Sequence, residues 1–280
     1  MGRDKIEASA MLMPCDLCQN NDKFIDLPGD PSGKIKICGE CGFVLVRERR
    51  STAEVAASWD EIYNSGGYDP NWPGVKARLY YVAEWIEQNI GWRGKDVLDI
   101  GAGKGQFLKF LFRYNPSSMT AIEPCAKPDD ISDDIVWIAR PIETAFIPAQ
   151  YDIIAINWTL ENTADALGML RFAREHLKPG GCVVVATGSR ILAPFKKPLR
   201  HYIPQDAQYP HDTHCFRWSY SSLEIAAKRV GLRVIQPNDY ADRDELIVLL
   251  AAGDVYSGPV VCHDPKAVET HFKHWLAMFP

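Results

Sequence analysis

The 280-residue chain has no long hydrophobic run. No window approaches the ~20 apolar residues that a membrane-spanning helix requires, and the opening MGRDKIEASAMLMP lacks an apolar core of signal-peptide length. A cytoplasmic protein without a membrane partner is the expectation. Excess charge is missing too: 31 Lys and Arg face 36 Asp and Glu, a net charge of −5 that creates no field to attract a nucleic-acid backbone. Internal repeats and low-complexity tracts are also lacking, which excludes solenoid and linker-like architectures. Two phosphate-binding patterns are absent as well. The glycines at 101, 103 and 105 are spaced G-x-G-x-G, neither the dinucleotide G-x-G-x-x-G nor a P-loop ending in G-K-[ST].

What is present begins with cysteine. Eight occur, and with no secretion signal they are read as thiols, not disulfides. Four form Cys15-x2-Cys18 and Cys38-x2-Cys41, separated by nineteen residues, the spacing of a four-thiolate zinc site. Four thiolates leave no open coordination position, so the expected Zn2+ is structural and its binding is coupled to folding of a ribbon over residues 1–47. Redox chemistry, the competing use of C-x-x-C, needs one pair and not two. Cys125, Cys182, Cys215 and Cys262 are scattered and read as small buried hydrophobes.

Residues 48–92 form an aromatic linker carrying Trp59, Tyr63, Tyr68 and Trp72, followed by a helix that opens at Pro73 and closes at Gly91. Apolar runs then alternate with helical patterns: DVLDIG, MTAIEP, IVWIA, YDIIAIN, GCVVVAT, LRVIQ and ELIVLLAA. Near-continuous apolar strands between helices predict an α/β domain over 93–253, a mainly parallel sheet with its own hydrophobic core. A tail, 254–280, follows.

In such a sheet the ligand sits beyond the carboxyl ends of the strands. The first strand ends at the glycine turn and the second at Glu123, where a carboxylate can accept both ribose hydroxyls of a nucleoside. VLDIGAGKG, then AIE, then YDIIAINWTLEN and LKPGGCVVVAT resemble the class I S-adenosylmethionine-dependent methyltransferases. The resemblance covers about Trp92 to Gly253 and implies a Rossmann-like seven-stranded, mostly parallel sheet of order 3-2-1-4-5-7-6. It also implies the cofactor S-adenosyl-L-methionine, with Gly101, Ala102, Gly103 and Gly105 around its methionine part, Asp99 beneath, Glu123 on the ribose and Asn157 nearby. Pro141 stands where relatives often carry an acidic residue facing the adenine, leaving Ile142 and Glu143 as candidates. Leu160-Glu161-Asn162 stands where many have Leu-Glu-His.

Between GCVVVAT and the next helical pattern lies a long insertion, 188–218, whose length marks it as functional. Its end, from His211 to Phe216, resembles the D-x-x-H-x-x-x-F stretch of small-molecule methyltransferases. His214, with His211 beside it, is therefore the candidate catalytic or acceptor-positioning residue. Base, helix cap and packing roles all suit a histidine there. Tyr63 and Tyr68 are expected to close over the cofactor from the opposite side. Arg190, Lys196, Lys197 and Arg200 in the insertion would suit a phosphate-bearing acceptor, or form a solvated face.

A zinc module before this core resembles the sugar C-methyltransferases and relatives from polysaccharide pathways, which implies a sugar nucleotide or glycan precursor as acceptor. Those C-methyltransferases carry a further C-terminal domain where this sequence has a short tail, so O- or N-methylation is expected. Two alternatives are an RNA base methyltransferase gripping RNA with its ribbon and a non-catalytic cofactor-binding scaffold. The first 55 residues hold eight basic and nine acidic side chains, without the basic excess an RNA grip needs.

Overall fold

A computed structural model describes residues 11–49, 51–65, 69, 71–188, 214–238 and 245–279. The ribbon begins with β1 (Met11–Leu12), β2 (Phe24–Asp26), β3 (Ile35–Cys38), β4 (Val44–Val46) and β5 (Glu48–Arg49). β2, β3 and β4 pair antiparallel, with Phe24 opposite Cys38 and Ile37 opposite Val44. β1 pairs with β5.

The aromatic stretch read as a linker contains helix α1 (Thr52–Asn64). Its cause is a capping box: Ser51 Oγ accepts from Glu54 N, and the Glu54 carboxylate accepts from Ser51 N at 2.7 Å, satisfying two donors that the first turn leaves free. Helix α2 (Pro73–Asn89) opens on proline, where the missing N–H costs no bond. It buries Val75, Leu79, Val82, Ala83 and Ile86 as one stripe.

The main sheet takes β6 (Asp96–Ile100), β7 (Ser118–Ile122), β8 (Ile135–Ile138), β9 (Tyr151–Asn157) and β10 (Leu177–Gly188), all parallel. Helices α3 (Gln106–Leu111) and α4 (Ala166–Glu175) lie between them in the chain. Then come β11 (Phe216–Arg217), α5 (Tyr220–Arg229), β12 (Leu232–Pro237), β13 (Glu245–Ala252) and α6 (Pro265–Met278). β13 runs antiparallel to both β10 and β12. The order is β12-β13-β10-β9-β6-β7-β8. These labels differ from 3-2-1-4-5-7-6 because the ribbon strands come first and β11 joins another sheet; counted within this sheet from the β8 edge, the order runs 3-2-1-4-5-7-6.

The ribbon has no core of its own. Leu17, Phe43 and Leu45 belong to one buried cluster with Ile100, Ile154 and Val185 of the main sheet and with residues of α4 and α5. β11, at the end of the insertion, adds to the ribbon through β4, pairing Phe216 with Leu45. The opposite ribbon face, Ile35, Ile37, Val44 and Val46, is covered by Val268, Phe272 and Trp275 of α6. A small module cannot bury enough apolar surface alone, and here sheet and tail cover it on both sides. No described helix is long and apolar enough to cross a membrane.

Candidate functional site

The carboxyl ends of β6, β7 and β9 open into one cavity of about 1140 Å³, its mouth included. β6 leads into the glycine turn. Gly101 adopts φ 75°, and a Cβ there would lie 2.3 Å from the Thr159 side chain; Gly103, at φ 58°, would place one 3.0 Å from Tyr63 Oη. Only glycine admits this backbone without strain and leaves room beside it. Gly101, Ala102 and Gly103 line the cavity, whereas Gly105 is not among its lining residues; it precedes α3 and faces Ile131.

Two carboxylates stand over this turn. Asp99, on β6, is 1% exposed, and its Oδ1 has no partner among the described residues. Burial, and then the charge of Glu123, push its carboxyl up to about 8. Glu123 accepts from Gly103 N at 2.8 Å and from Cys125 N at 3.3 Å, and burial raises its carboxyl as well. Neither is in an ion pair among the described residues. The arrangement is a buried anionic site in which a cation would relieve the cost of ionisation.

Beyond β9 the chain makes a strained turn. Trp158 adopts φ 50°, rare for a bulky residue and costing on the order of 1–3 kcal/mol, held by its N–H to the Ala186 carbonyl. Asn157 lines the cavity, and neither atom of its amide has a partner among the described residues; Asn162 Oδ1 is likewise buried and unpartnered. Glu161 is not among the lining residues. Its carboxylate holds the end of β10, accepting from Thr187 Oγ1 at 2.9 Å and Gly188 N at 3.2 Å.

Sequence reasoning missed Arg78. Its guanidinium lies 4.5 Å over the Trp158 ring, its Nε is buried without a partner among the described residues, and it lines the cavity. The signal was available: on α2 a cation at position 78 interrupts the apolar stripe of Val75, Leu79 and Val82. The helix α1 was missed as well, although Tyr63, which it carries, was expected beside the cofactor. Thr52, Val55, Ala56, Trp59 and Tyr63 line one cavity wall, with Thr52 Oγ1 donating to Glu143 at 2.9 Å and Lys104 Nζ 4.7 Å over the Tyr63 ring. Ile142 and Glu143 line the cavity as well.

His214 is described and does not line this cavity. Its carbonyl accepts from Arg217, and the next residue, Cys215, accepts from Val46 N at 2.8 Å, so the segment is bound to the ribbon edge. Tyr68, His211 and the basic residues Arg190, Lys196, Lys197 and Arg200 lie outside the described residues.

The four N-terminal cysteines converge. Their sulfurs all lie within 4.8 Å of one another, with Cys15 to Cys41 at 3.6 Å and Cys18 to Cys38 at 3.5 Å. A tetrahedral ion with Zn–S bonds of ~2.3 Å has S···S edges of about 3.8 Å, so the donor set fits zinc. Hydrogen bonding to Cys38 pushes the Cys15 thiol up, and hydrogen bonding to Cys15 pushes that of Cys41 up. Thiols packed this closely ionise together only around a cation. Asn20 Nδ2 also approaches Cys38 Sγ, at 3.5 Å.

Residues 75–237 match the profile of the methyltransferase domain. The chain belongs to that family. It is an S-adenosylmethionine-dependent methyltransferase, and the match begins after the ribbon and α1. A ubiquinone biosynthesis O-methyltransferase of Pseudomonas aeruginosa is 28% identical over 164 residues, 54% of this chain and 69% of that one. The protein arginine N-methyltransferase 6 of Xenopus tropicalis is 25% identical over 182 residues, 59% and 53% of the two chains. Among solved structures, the methyltransferase fold is shared with the Burkholderia thailandensis 1,6-didemethyltoxoflavin-N1-methyltransferase, bound to 1,6-didemethyltoxoflavin and S-adenosylhomocysteine. The TM-score is 0.57 at 15% identity, covering 76% of this chain and 95% of that one. The N-methyltransferase NodS of Bradyrhizobium japonicum, with S-adenosylhomocysteine, gives 0.51 at 17% identity, covering 71% and 98%.

Proposed function

We propose that this methyltransferase transfers a methyl group from S-adenosylmethionine to the oxygen or nitrogen of a small-molecule acceptor. The observation that carries the reading is the pair Asp99 and Glu123, two buried carboxylates beside a glycine turn, outside any described ion pair. The cofactor supplies an electrophilic methyl on a cationic sulfonium, together with an ammonium and a ribose diol. Asp99 answers the positive charge, and Glu123, already oriented by two backbone N–H groups, accepts the ribose hydroxyls. Gly101, Ala102 and Gly103 let the chain approach the methionine part closely, and the half-buried Arg78, which lines the cavity, is placed to take its carboxylate. Ile142 and Glu143 stand at the adenine end, and Asn157 offers its unpartnered amide to the reaction centre. In-line displacement demands alignment and exclusion of water; α1, with Tyr63 lining the cavity, provides a wall that does both. His214 or His211 is the candidate to take the proton from the acceptor.

For the acceptor, the cations of the insertion support a phosphate-bearing sugar nucleotide or glycan precursor. The O-methyltransferase relatives support a hydroxyl as the methylated group. The ribbon, covered on one face by the main core and on the other by α6, offers RNA little free sheet surface. It holds one structural Zn2+ through Cys15, Cys18, Cys38 and Cys41. The deciding experiment is calorimetry with S-adenosylhomocysteine on the wild type and on Glu123→Ala, followed by transfer of labelled methyl to phenol, amine and sugar-nucleotide panels. Absence of binding to the wild type, or undiminished affinity in Glu123→Ala, would overturn the cofactor assignment; absence of transfer to every panel would leave the scaffold reading in its place.

A further inference from the structure

One buried guanidinium touches the metal knuckle, β11 and Ala164, the residue next to the cavity-lining Thr163. Arg49 Nη1 donates to Asp16 Oδ1 at 2.7 Å and to the Ala164 carbonyl at 3.0 Å, while Nη2 donates to Asp16 Oδ2. Its Nε donates to the Val46 carbonyl at 3.2 Å, and its plane lies 4.5 Å over the Phe216 ring. The Arg49 and Asp16 side chains are 4% and 10% exposed. Asp16 lies inside the first C-x-x-C, between Cys15 and Cys18. Ala164 ends the turn that begins at Trp158 and brings Thr159, Asn162 and Thr163 to the cavity; Asp165 next to it caps α4 through Gly168 N at 2.8 Å.

We infer that Arg49 is a positioning residue that couples metal binding in the ribbon to cofactor binding in the cavity. The ion fixes the Cys15–Cys18 turn, the turn fixes the Asp16 carboxylate, and a bidentate pair with so little freedom fixes the guanidinium. The guanidinium in turn holds the carbonyl at the end of the 158–164 wall. Loss of the metal frees Asp16 and leaves a buried cation without its partner, which the wall must then move to accommodate. Coupling of this kind is reciprocal, so a molecule in the cavity must tighten the hold on the ion.

The inference rests on the zinc reading of the four cysteines. It is tested on the full chain by equilibrium competition for zinc with a chromogenic chelator, with and without saturating S-adenosylhomocysteine. The expected result is an apparent zinc affinity at least about 5-fold higher with S-adenosylhomocysteine in the wild type, and a change below about twofold in Arg49→Met. Cobalt in place of zinc reports the site itself: an unchanged tetrahedral-thiolate spectrum in Arg49→Met shows that the knuckle is intact and only the link is gone. Should that variant fail to fold, Asp16→Asn, which keeps the shape and removes the charge, is expected to show the same loss. An undiminished S-adenosylhomocysteine effect in the variant, or none in the wild type, overturns the inference. A wild type that binds neither zinc nor cobalt overturns the zinc reading itself, a separate outcome seen in the metal analysis alone.

Discussion

Thr52 Oγ1 donates to Glu143 Oε1 at 2.9 Å, joining the first turn of α1 to the loop after β8 across the cavity. At the far end of the same helix, Tyr63 stands against Gly103 and Lys104. α1 is thus held at both ends over the proposed cofactor. Thr52→Val keeps the shape and removes the donor, an exposed hydrogen bond of about 0.5–1.5 kcal/mol. S-adenosylhomocysteine is expected to dissociate roughly 2- to 10-fold faster from the variant, measured by stopped-flow fluorescence of Trp59. An unchanged off-rate removes the latch.

Arg78 is the second test. A hydrogen bond to a charged group is worth ~1.5–3 kcal/mol, so Arg78→Ala is expected to weaken S-adenosylmethionine binding by about 10- to 100-fold. A cofactor analogue lacking the carboxylate should bind wild type and variant alike. If the analogue is as sensitive as the cofactor, Arg78 supports Trp158 and not the carboxylate.

Asp99 is expected to make cofactor binding depend on pH. Its carboxyl is raised from an ordinary value of 3.8 to about 8, so the folded, cofactor-free protein holds a proton that the unfolded chain has already released. That contribution to stability is fully present below the unfolded value and is lost as pH rises toward and through about 8. Binding of a cation favours the ionised form, so affinity should rise between pH 6 and 8, with proton release on binding, and level off above. Calorimetry in buffers of different ionisation enthalpy counts the protons. In Asp99→Asn the pH dependence should vanish; affinity that is flat over this range in the wild type rejects the role.

His214→Ala separates base from scaffold. General-base catalysis is typically worth ~10²–10⁴-fold, so a base role predicts a turnover loss of that size with cofactor affinity preserved. A packing role, in keeping with the bond of the neighbouring Cys215 to Val46, predicts lower thermal stability and normal turnover per folded molecule. Melting temperature and turnover on one preparation decide.

Much of this was legible along the chain because its causes are local. The period of apolar residues fixes each strand of the main sheet, the glycines at 101 and 103 answer a backbone requirement within a few residues, and C-x-x-C places two sulfurs within one turn. Even α1 had its local sign, the Ser51 and Glu54 capping box, although aromatic residues and later glycines masked it as a linker. Arg78 announced itself only as a cation on an apolar stripe. What it faces depends on Trp158, eighty residues later, and no period or spacing links the two.

The sequence by itself determined the main-sheet strands, helix α2, the glycine turn with Asp99 and Glu123 at its sides, and the two pairs of thiols, since each follows from short-range sterics and hydrogen bonding. Only the tertiary structure decided that the ribbon shares its core with the sheet, that α6 and β11 complete it, and that Arg49 ties Asp16 to Ala164, which lies 115 residues after Arg49 in the chain. The physical reason is that burial is non-directional. Apolar patterning states that a face must be covered; which distant segment covers it, and which buried charge then finds its partner, is settled when the whole chain packs.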